Sequence, residues 1–334
     1  MSERKKYLTG IKPTGMPHLG NYYGAIRPAL EFSQQTRGDF FYFIADYHSL
    51  TAQKDPEKNR QSVYEVAATW LACGLDPSQV TFYRQSDVPE IFELNWILAC
   101  HTPKGDLNRA HAYKALTQEN KERAADEDQG VNAGLFTYPV LMAADILLFD
   151  TDFVPVGKDQ IQHVEMARSM AQRINQHYRS ELLVEPQEVL TARGGAYIPG
   201  LDGRKMSKSY DNTIGLFLPE KKLQKMINKI VTDSTPPEEP KKTEDSVLFE
   251  LFAATANDLE VQEMKQRYEK GISWGEVKVE LFRVINREIT PYRERFYELM
   301  EKTEIIDEHL ALGAQKARKI AQQKILLLRQ SLLG

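Results

Sequence analysis

The chain has 334 residues, 42% of them hydrophobic, which is long enough for about two domains around a core that needs no disulfide or metal staple. Its formal net charge of −4 excludes a diffuse attraction to nucleic acid, so any such contact would need a local basic patch. Cys73 and Cys100 read as reduced core residues, and residues 1–6 run into a strand with no apolar leader or long apolar run after it, as in a cytoplasmic protein that is neither secreted nor membrane-bound.

Residues 7–9 read as a first strand. A Gly-Ile-Lys-Pro-Thr-Gly turn (10–15) follows, and residues 16–21 open a helix. This strand–loop–helix unit is where α/β sheets bind nucleotides, yet it lacks both the dinucleotide fingerprint and the P-loop pattern. His18 and Asn21 are three apart and share the first helical turn, where the dipole and free N–H groups favour anions. Gly20 and Gly24 leave room for a nucleoside to approach the backbone. His18 on its own reads equally well as a helix cap. Residues 40–45 are an unbroken apolar strand ending in Asp46-Tyr47-His48, 56–75 form a helix and 80–83 another strand. The alternation implies a parallel sheet whose carboxyl ends face one crevice. Residues 89–101 and 107–116 read as helices. The charged stretch 118–130 reads as a mobile surface loop without chemistry of its own.

Residues 132–150 form an apolar helix on which Tyr138, Met142 and Asp145 share a face, so a carboxylate enters a pocket with an aromatic ring and a thioether. Two readings are open: Asp145 pairs with an internal arginine or backbone group, or the missing donor arrives with a ligand. Indole N–H, a donor on a large apolar ring, fits the second. A strand at 152–156 ends in Gly157-Lys158-Asp159-Gln160, where Asp159 could accept from an ammonium or ribose hydroxyl, or simply cap the next helix.

The loop Gly203-Arg-Lys-Met-Ser-Lys-Ser209 packs two lysines and two hydroxyls into five residues, a grip for a polyanion or else a solvated basic turn. After it, helical spacing covers 219–231, 246–256, 258–271, 276–303 and 307–333, with a Pro- and Glu-rich linker at 235–245. Lys-Met-Ser-Lys-Ser (205–209) resembles the second nucleotide motif of class I aminoacyl-tRNA synthetases. Pro-His-Leu-Gly-Asn (17–21) resembles the first, with Asn21 where many members carry a second histidine. With Gly10-Ile-x-Pro-Thr-Gly15, the segments 137–148 and 154–160, and Val-Thr-Asp-Ser (231–234), about two thirds of the chain resembles the bacterial tryptophanyl-tRNA synthetases.

That resemblance implies an α/β protein: a Rossmann-like parallel-sheet catalytic domain at 1–214 and an α-helical, anticodon-binding domain at 215–334. It also implies activation of L-tryptophan by ATP, with Mg²⁺ carried on the ATP, transfer to tRNA(Trp), and a homodimer. By the same resemblance Asp145 binds the indole nitrogen, Tyr138 and Gln160 the α-ammonium, and His48, Met142, Val154 and Val156 line the indole pocket. ATP falls to Lys12, Thr14, His18, Gly20, Asn21, Gly157, Asp159, Ile198, Lys205, Met206, Ser207 and Lys208, of which Lys12, His18, Asn21, Lys205 and Lys208 are the catalytic set, with no protein-held metal. Lys12 stands where the family usually has glutamine and adds a third cation near the triphosphate. The cations Lys316, Arg318, Lys319, Lys324 and Arg329 read either as compensation of a helix dipole or as a tRNA-facing stripe. A tyrosine-specific synthetase, a small-molecule nucleotidyltransferase and a non-catalytic RNA-binding relative are the alternatives.

Overall fold

In a computed structural model, which describes residues 4–157, 160–190, 198–244 and 246–334, the four expected strands and one more segment form a sheet of five parallel strands. These are β1 (Lys6–Ile11), β2 (Asp39–Ile44), β3 (Thr81–Arg84), β4 (Phe153–Val156) and β5 (Gln187–Leu190), in the order β3-β2-β1-β4-β5. The chain moves outward from β1 through β2 to β3 and then crosses to β4 on the other side. The order therefore reverses at β1, and ligand crevices open at such a reversal, outside the carboxyl ends.

The helices are α1 (Leu19–Asn21), which continues through a π-type turn at Tyr22–Ile26 into α2 (Arg27–Gln35), then α3 (Asp46–Ser49), α4 (Pro56–Ala72), α5 (Glu90–Cys100), α6 (Lys104–Leu107) and α7 (His111–Glu122). They continue with α8 (Ala133–Leu147), α9 (Ile161–Tyr178), α10 (Glu220–Asn228), α11 (Val247–Thr255), α12 (Asp258–Lys270), α13 (Trp274–Glu301) and α14 (Thr303–Leu332). Local chemistry explains several starts. Asp55 caps α4 by accepting from the Glu57 and Lys58 amides, with Pro56 in its first turn, and Asn132 caps α8 through the Leu135 amide.

Strand β5 is unmarked in the sequence, and three expectations need correction. Strand β5, Gln-Glu-Val-Leu, carries no apolar run; it is a strand because β4 offers it a pairing edge. The charged stretch begins as the last turn of α7, and the rest is tied down by buried Asn120, whose Nδ2 donates to the Glu127 and Gln129 carbonyls at 3.0 and 2.8 Å. Cys100 is exposed, and only Cys73 is buried.

The basic stripe, too, is mostly spent inside the molecule. Helix α14 lays Ala314, Ala317, Ala321, Ile325 and Leu328 onto the core around β3 and α5. A Cβ on Gly313 would stand 1.7 Å from the Phe82 carbonyl oxygen, so helix backbone touches strand backbone there. Beside that apolar seam Arg318 grips Glu90, Arg329 pairs with Glu93, Lys324 with Asp150, and Lys316 reaches the Pro77 carbonyl. Four of the five cations thus hold α14 to the sheet unit, which overturns the reading of the whole stripe as tRNA-facing. The apolar core is continuous across position 214: one cluster joins Leu19, Tyr42 and Val66 to Phe217, Leu281 and Leu310.

Candidate functional site

The loop after β1 carries Lys12, Thr14 and Gly15, the last at φ +88°, a backbone setting natural to glycine. It receives the lysine loop directly, because Lys208 Nζ donates to the Thr14 carbonyl at 2.7 Å. Lys12 Nζ donates to Thr51 Oγ1 at 3.2 Å. Burial lowers both lysine pKa values, although Glu65 pulls that of Lys208 back up. Ammonium groups already stripped of part of their water meet a phosphate at a lower effective dielectric than free ones.

His18 caps α1. Its Nδ1 accepts the Asn21 amide at 3.3 Å while Asn21 Oδ1 accepts the His18 amide at 3.0 Å. With Nδ1 committed as an acceptor, the proton of the neutral ring belongs on Nε2, a donor for a phosphate oxygen. Burial, and then the charge of Lys208, push the His18 pKa down to about 4. The unfolded chain, with its histidine near 6.5, takes up this proton first on acidification. The contribution of His18 to stability is therefore complete above about pH 6.5 and fades as pH falls towards 4. The Tm gap between wild type and His18→Asn should accordingly be smaller at pH 5 than at pH 7.5; an unchanged gap would show that the histidine is not held neutral.

The lysine loop is fastened at its base. The Leu19 amide bonds the Ile214 carbonyl at 2.9 Å, and the Leu216 amide the Pro17 carbonyl at 3.0 Å. Met206, nearly fully buried, accepts the Gly20 amide on its sulfur at 3.3 Å, and a Cβ on Gly20 would come within 3.2 Å of Met206 Cβ. Gly20 thus admits the loop's own methionine. Open space surrounds Gly24. Buried Asn212 orders the loop by accepting the Ser207 amide at 2.8 Å and donating to Asp202 at 2.7 Å and the Lys205 carbonyl at 3.1 Å. Ser207 and Ser209 share a hydrogen bond at 2.8 Å, while the Ile198 carbonyl accepts the Met206 amide at 2.9 Å.

At the far end of the crevice Asp145 is fully buried, and burial raises its pKa. It does not wait for a ligand's donor, nor does it meet an arginine. Gln85 Nε2 donates to its two oxygens at 2.8 and 2.9 Å, and His48 Nε2 lies 2.9 Å from Oδ2. His48, Tyr47, Phe92, Gly134, Tyr138 and Leu141 help line a cleft of about 470 Å³ between α3, α5 and α8, with Asp145 behind His48. Tyr138 hydroxyl bonds His163 Nε2, and His163 Nδ1 is 2.9 Å from Gln160 Oε1. A neutral His163 that donates to Gln160 must accept from Tyr138, which leaves the phenol oxygen's lone pairs for a cation.

Gln85 and His163 were not singled out from sequence. Gln85 is the first residue beyond β3, the same place relative to a strand end that Gly157 takes after β4. His163 sits in the first turn of α9, where nothing sets it apart from a surface histidine. Val154 is in the core, with Met142 and Val156 half-buried against it, and the Gly157 carbonyl accepts the Gln160 amide at 3.0 Å. Asp159 lies outside the described residues.

The family model "tRNA synthetases class I (W and Y)" matches residues 1–289, and the chain belongs to that family of class I synthetases. Its relatives narrow the class. The tryptophan–tRNA ligase of Neisseria meningitidis is 53% identical over 321 residues, covering 96% of this chain and 95% of its own. That of Bordetella pertussis is 52% identical, covering 98% of this chain and 72% of its own. A crystal structure of tryptophanyl-tRNA synthetase from Campylobacter jejuni, complexed with ADP and tryptophan, aligns at a TM-score of 0.88 with 43% identity, covering 98% of this chain and 100% of that one.

Proposed function

We infer that this chain is a tryptophan–tRNA ligase, which activates L-tryptophan with ATP and passes it to tRNA(Trp). The observation that carries the assignment on physical grounds is the buried Asp145, surrounded by donors and therefore an acceptor, behind a cleft walled by aromatic and apolar side chains. Tryptophan enters with its indole N–H towards Asp145 and its ammonium towards Tyr138 and Gln160. Its carboxylate oxygen attacks the α-phosphorus of ATP in line, the bond to the bridging oxygen breaks, and pyrophosphate leaves. His18 Nε2–H, Lys12, Lys205 and Lys208 stabilise the charge that builds on the triphosphate. The terminal ribose hydroxyl of tRNA then attacks the acyl carbon and AMP departs. Mg²⁺ travels on the ATP oxygens; the described residues include no group of three His, Cys, Asp or Glu placed to hold an ion.

We further assign residues 1–214 to catalysis and 215–334 to the anticodon region of tRNA, in a cytoplasmic homodimer. No described helix is long and apolar enough to cross a membrane. Trp96, exposed on α5, offers an apolar surface for the second copy. For tRNA the supporting feature is α10. Lys221, Lys225 and Lys229 follow one another at intervals of four, exposed and with no ion pair among the described residues, and the Val231 amide just beyond bonds Leu201 at the base of the lysine loop. Replacing these three lysines by alanine should raise the KM for tRNA and reduce the slope of log affinity against log salt by about two to three, with pyrophosphate exchange unchanged. An unaltered slope would return them to a solvated face. The assignment as a whole is tested by charging bulk tRNA: tryptophan, and not tyrosine, should be esterified, and only to the tryptophan isoacceptor.

A further inference from the structure

Asp145 is useful only if it is always an acceptor, and a buried carboxyl with a raised pKa is prone to become a donor instead. What stands against it is therefore as informative as the aspartate. Gln85 is completely buried in the short 3₁₀ turn that follows β3. An amide can turn either its oxygen or its NH₂ to a neighbour, and here that choice is made by backbone: the Tyr47 amide donates to Gln85 Oε1 at 3.1 Å. The NH₂ is thereby fixed on the other side, bridging the two Asp145 oxygens at 2.8 and 2.9 Å. The turn is itself held, because Asp46 Oδ1 accepts both the Tyr47 and the Ser86 amides at 3.0 Å. Arg84, the last residue of β3, reaches Asp87 and, at 3.8 Å, Asp307 of α14.

We propose that Gln85 is a positioning residue for amino-acid selection: pinned by the Tyr47 amide, it presents only N–H to Asp145 and so keeps that carboxylate an acceptor for the indole nitrogen. The proposal rests on the reading that Asp145 recognises indole. It acts through Asp145 and not on the substrate itself. The other titratable groups facing Asp145 are His48 on α3 and Tyr83 on β3, the latter fully buried with a hydroxyl that has no hydrogen-bond partner among the described residues. Neither can do the work of Gln85. His48 reaches a single oxygen, and a tyrosine hydroxyl is free to rotate.

The test is Gln85→Met, which keeps the length and removes both amide groups, compared with wild type in pyrophosphate exchange. Two substrates are used: tryptophan, and benzothienyl-alanine, in which sulfur replaces the N–H. Without the bridging NH₂ the Asp145 carboxyl holds its proton to higher pH, and a protonated carboxyl accepts from the indole only weakly, through its carbonyl oxygen. The expected result is a roughly tenfold fall in selectivity (the kcat/KM ratio of the two substrates) at pH 6.5, with the KM for ATP unchanged. Selectivity should return as pH rises to 9 and Asp145 ionises, whereas the wild-type ratio stays flat. If Gln85 only fills space, the variant raises both KM values together at every pH, and the proposal is wrong. Asp145→Asn, measured alongside, separates the two levels of the argument. A ratio that moves with Asp145 but not with Gln85 overturns the proposal and leaves the indole reading standing; a ratio that moves with neither overturns both. Should Gln85→Met fold poorly, Gln85→Leu, which also removes both amide groups, gives the same decision with the same pH dependence.

Discussion

Lys208→Ala is expected to slow tryptophan-dependent pyrophosphate exchange by a factor of about 10²–10³ while leaving the affinity for tryptophan nearly unchanged. The ammonium lies on the Thr14 carbonyl, at the mouth of the crevice and away from the amino-acid cleft, so its loss does not touch the indole end. Its side chain is exposed but held in place by that contact, and a cation placed in advance of the charge it stabilises contributes more to the transition state than to the ground state. The contact with Thr14 also ties the lysine loop to the β1 loop, so Lys208→Ala removes a tether along with a charge. Lys208→Met isolates the charge from side-chain bulk. Both variants should lose kcat for adenylation with a modest change in tryptophan KM. Equal losses in tryptophan affinity and rate would show that the loop is structural.

The second large effect is at Asp145. From the sequence alone, an analogue without a donor would leave this carboxylate buried and unpaired, the situation in which hydrogen-bonding sites reject substrates by about 10⁴–10⁵. The structure reduces that figure, because Gln85 and His48 already donate to the carboxylate and a missing indole N–H removes one donor among several. Wild type should therefore prefer tryptophan over benzothienyl-alanine by roughly 10–10², the worth of one hydrogen bond to a charged acceptor. Asp145→Ala should bring that ratio close to one. Its kcat/KM for tryptophan should fall by about 10² or more, since Gln85 and His48 are left without their acceptor beside a cavity. Asp145→Asn, whose amide can turn its own NH₂ to the indole, should fall in between. A ratio that survives in Asp145→Ala would remove the physical reason for tryptophan.

Much of this was legible in the sequence because the features are local. An unbroken apolar run marked β2 and shorter strand-like stretches marked β1, β3 and β4; spacing and caps marked α4, α8 and the long helices from α10 onward; and the polar residues just after β1, β2 and β4 lie at the carboxyl edge where a doubly wound sheet puts its ligands. What stayed hidden depends on partners far apart in the chain. Strand β5 exists because β4 needs a neighbour. The cations of α14 look like a ligand surface until Glu90, Glu93 and Asp150 are seen to face them. Gln85 is 60 residues from Asp145, and no periodicity links them. The buried carboxylate was visible as an anomaly, but the identity of its donors was a property of the fold.

The measurement that bears most directly on the whole account is amino-acid-dependent pyrophosphate exchange with the purified protein, ATP and Mg²⁺, across tryptophan, tyrosine and phenylalanine. Exchange with tryptophan at least about 10³ times more efficient than with either of the others is the expected result, because phenylalanine loses both the donor to Asp145, worth roughly 10–10², and the apolar contact of the larger indole ring, and tyrosine presents its hydroxyl from that same smaller ring. Exchange that favours tyrosine, or that is absent with all three, would contradict it.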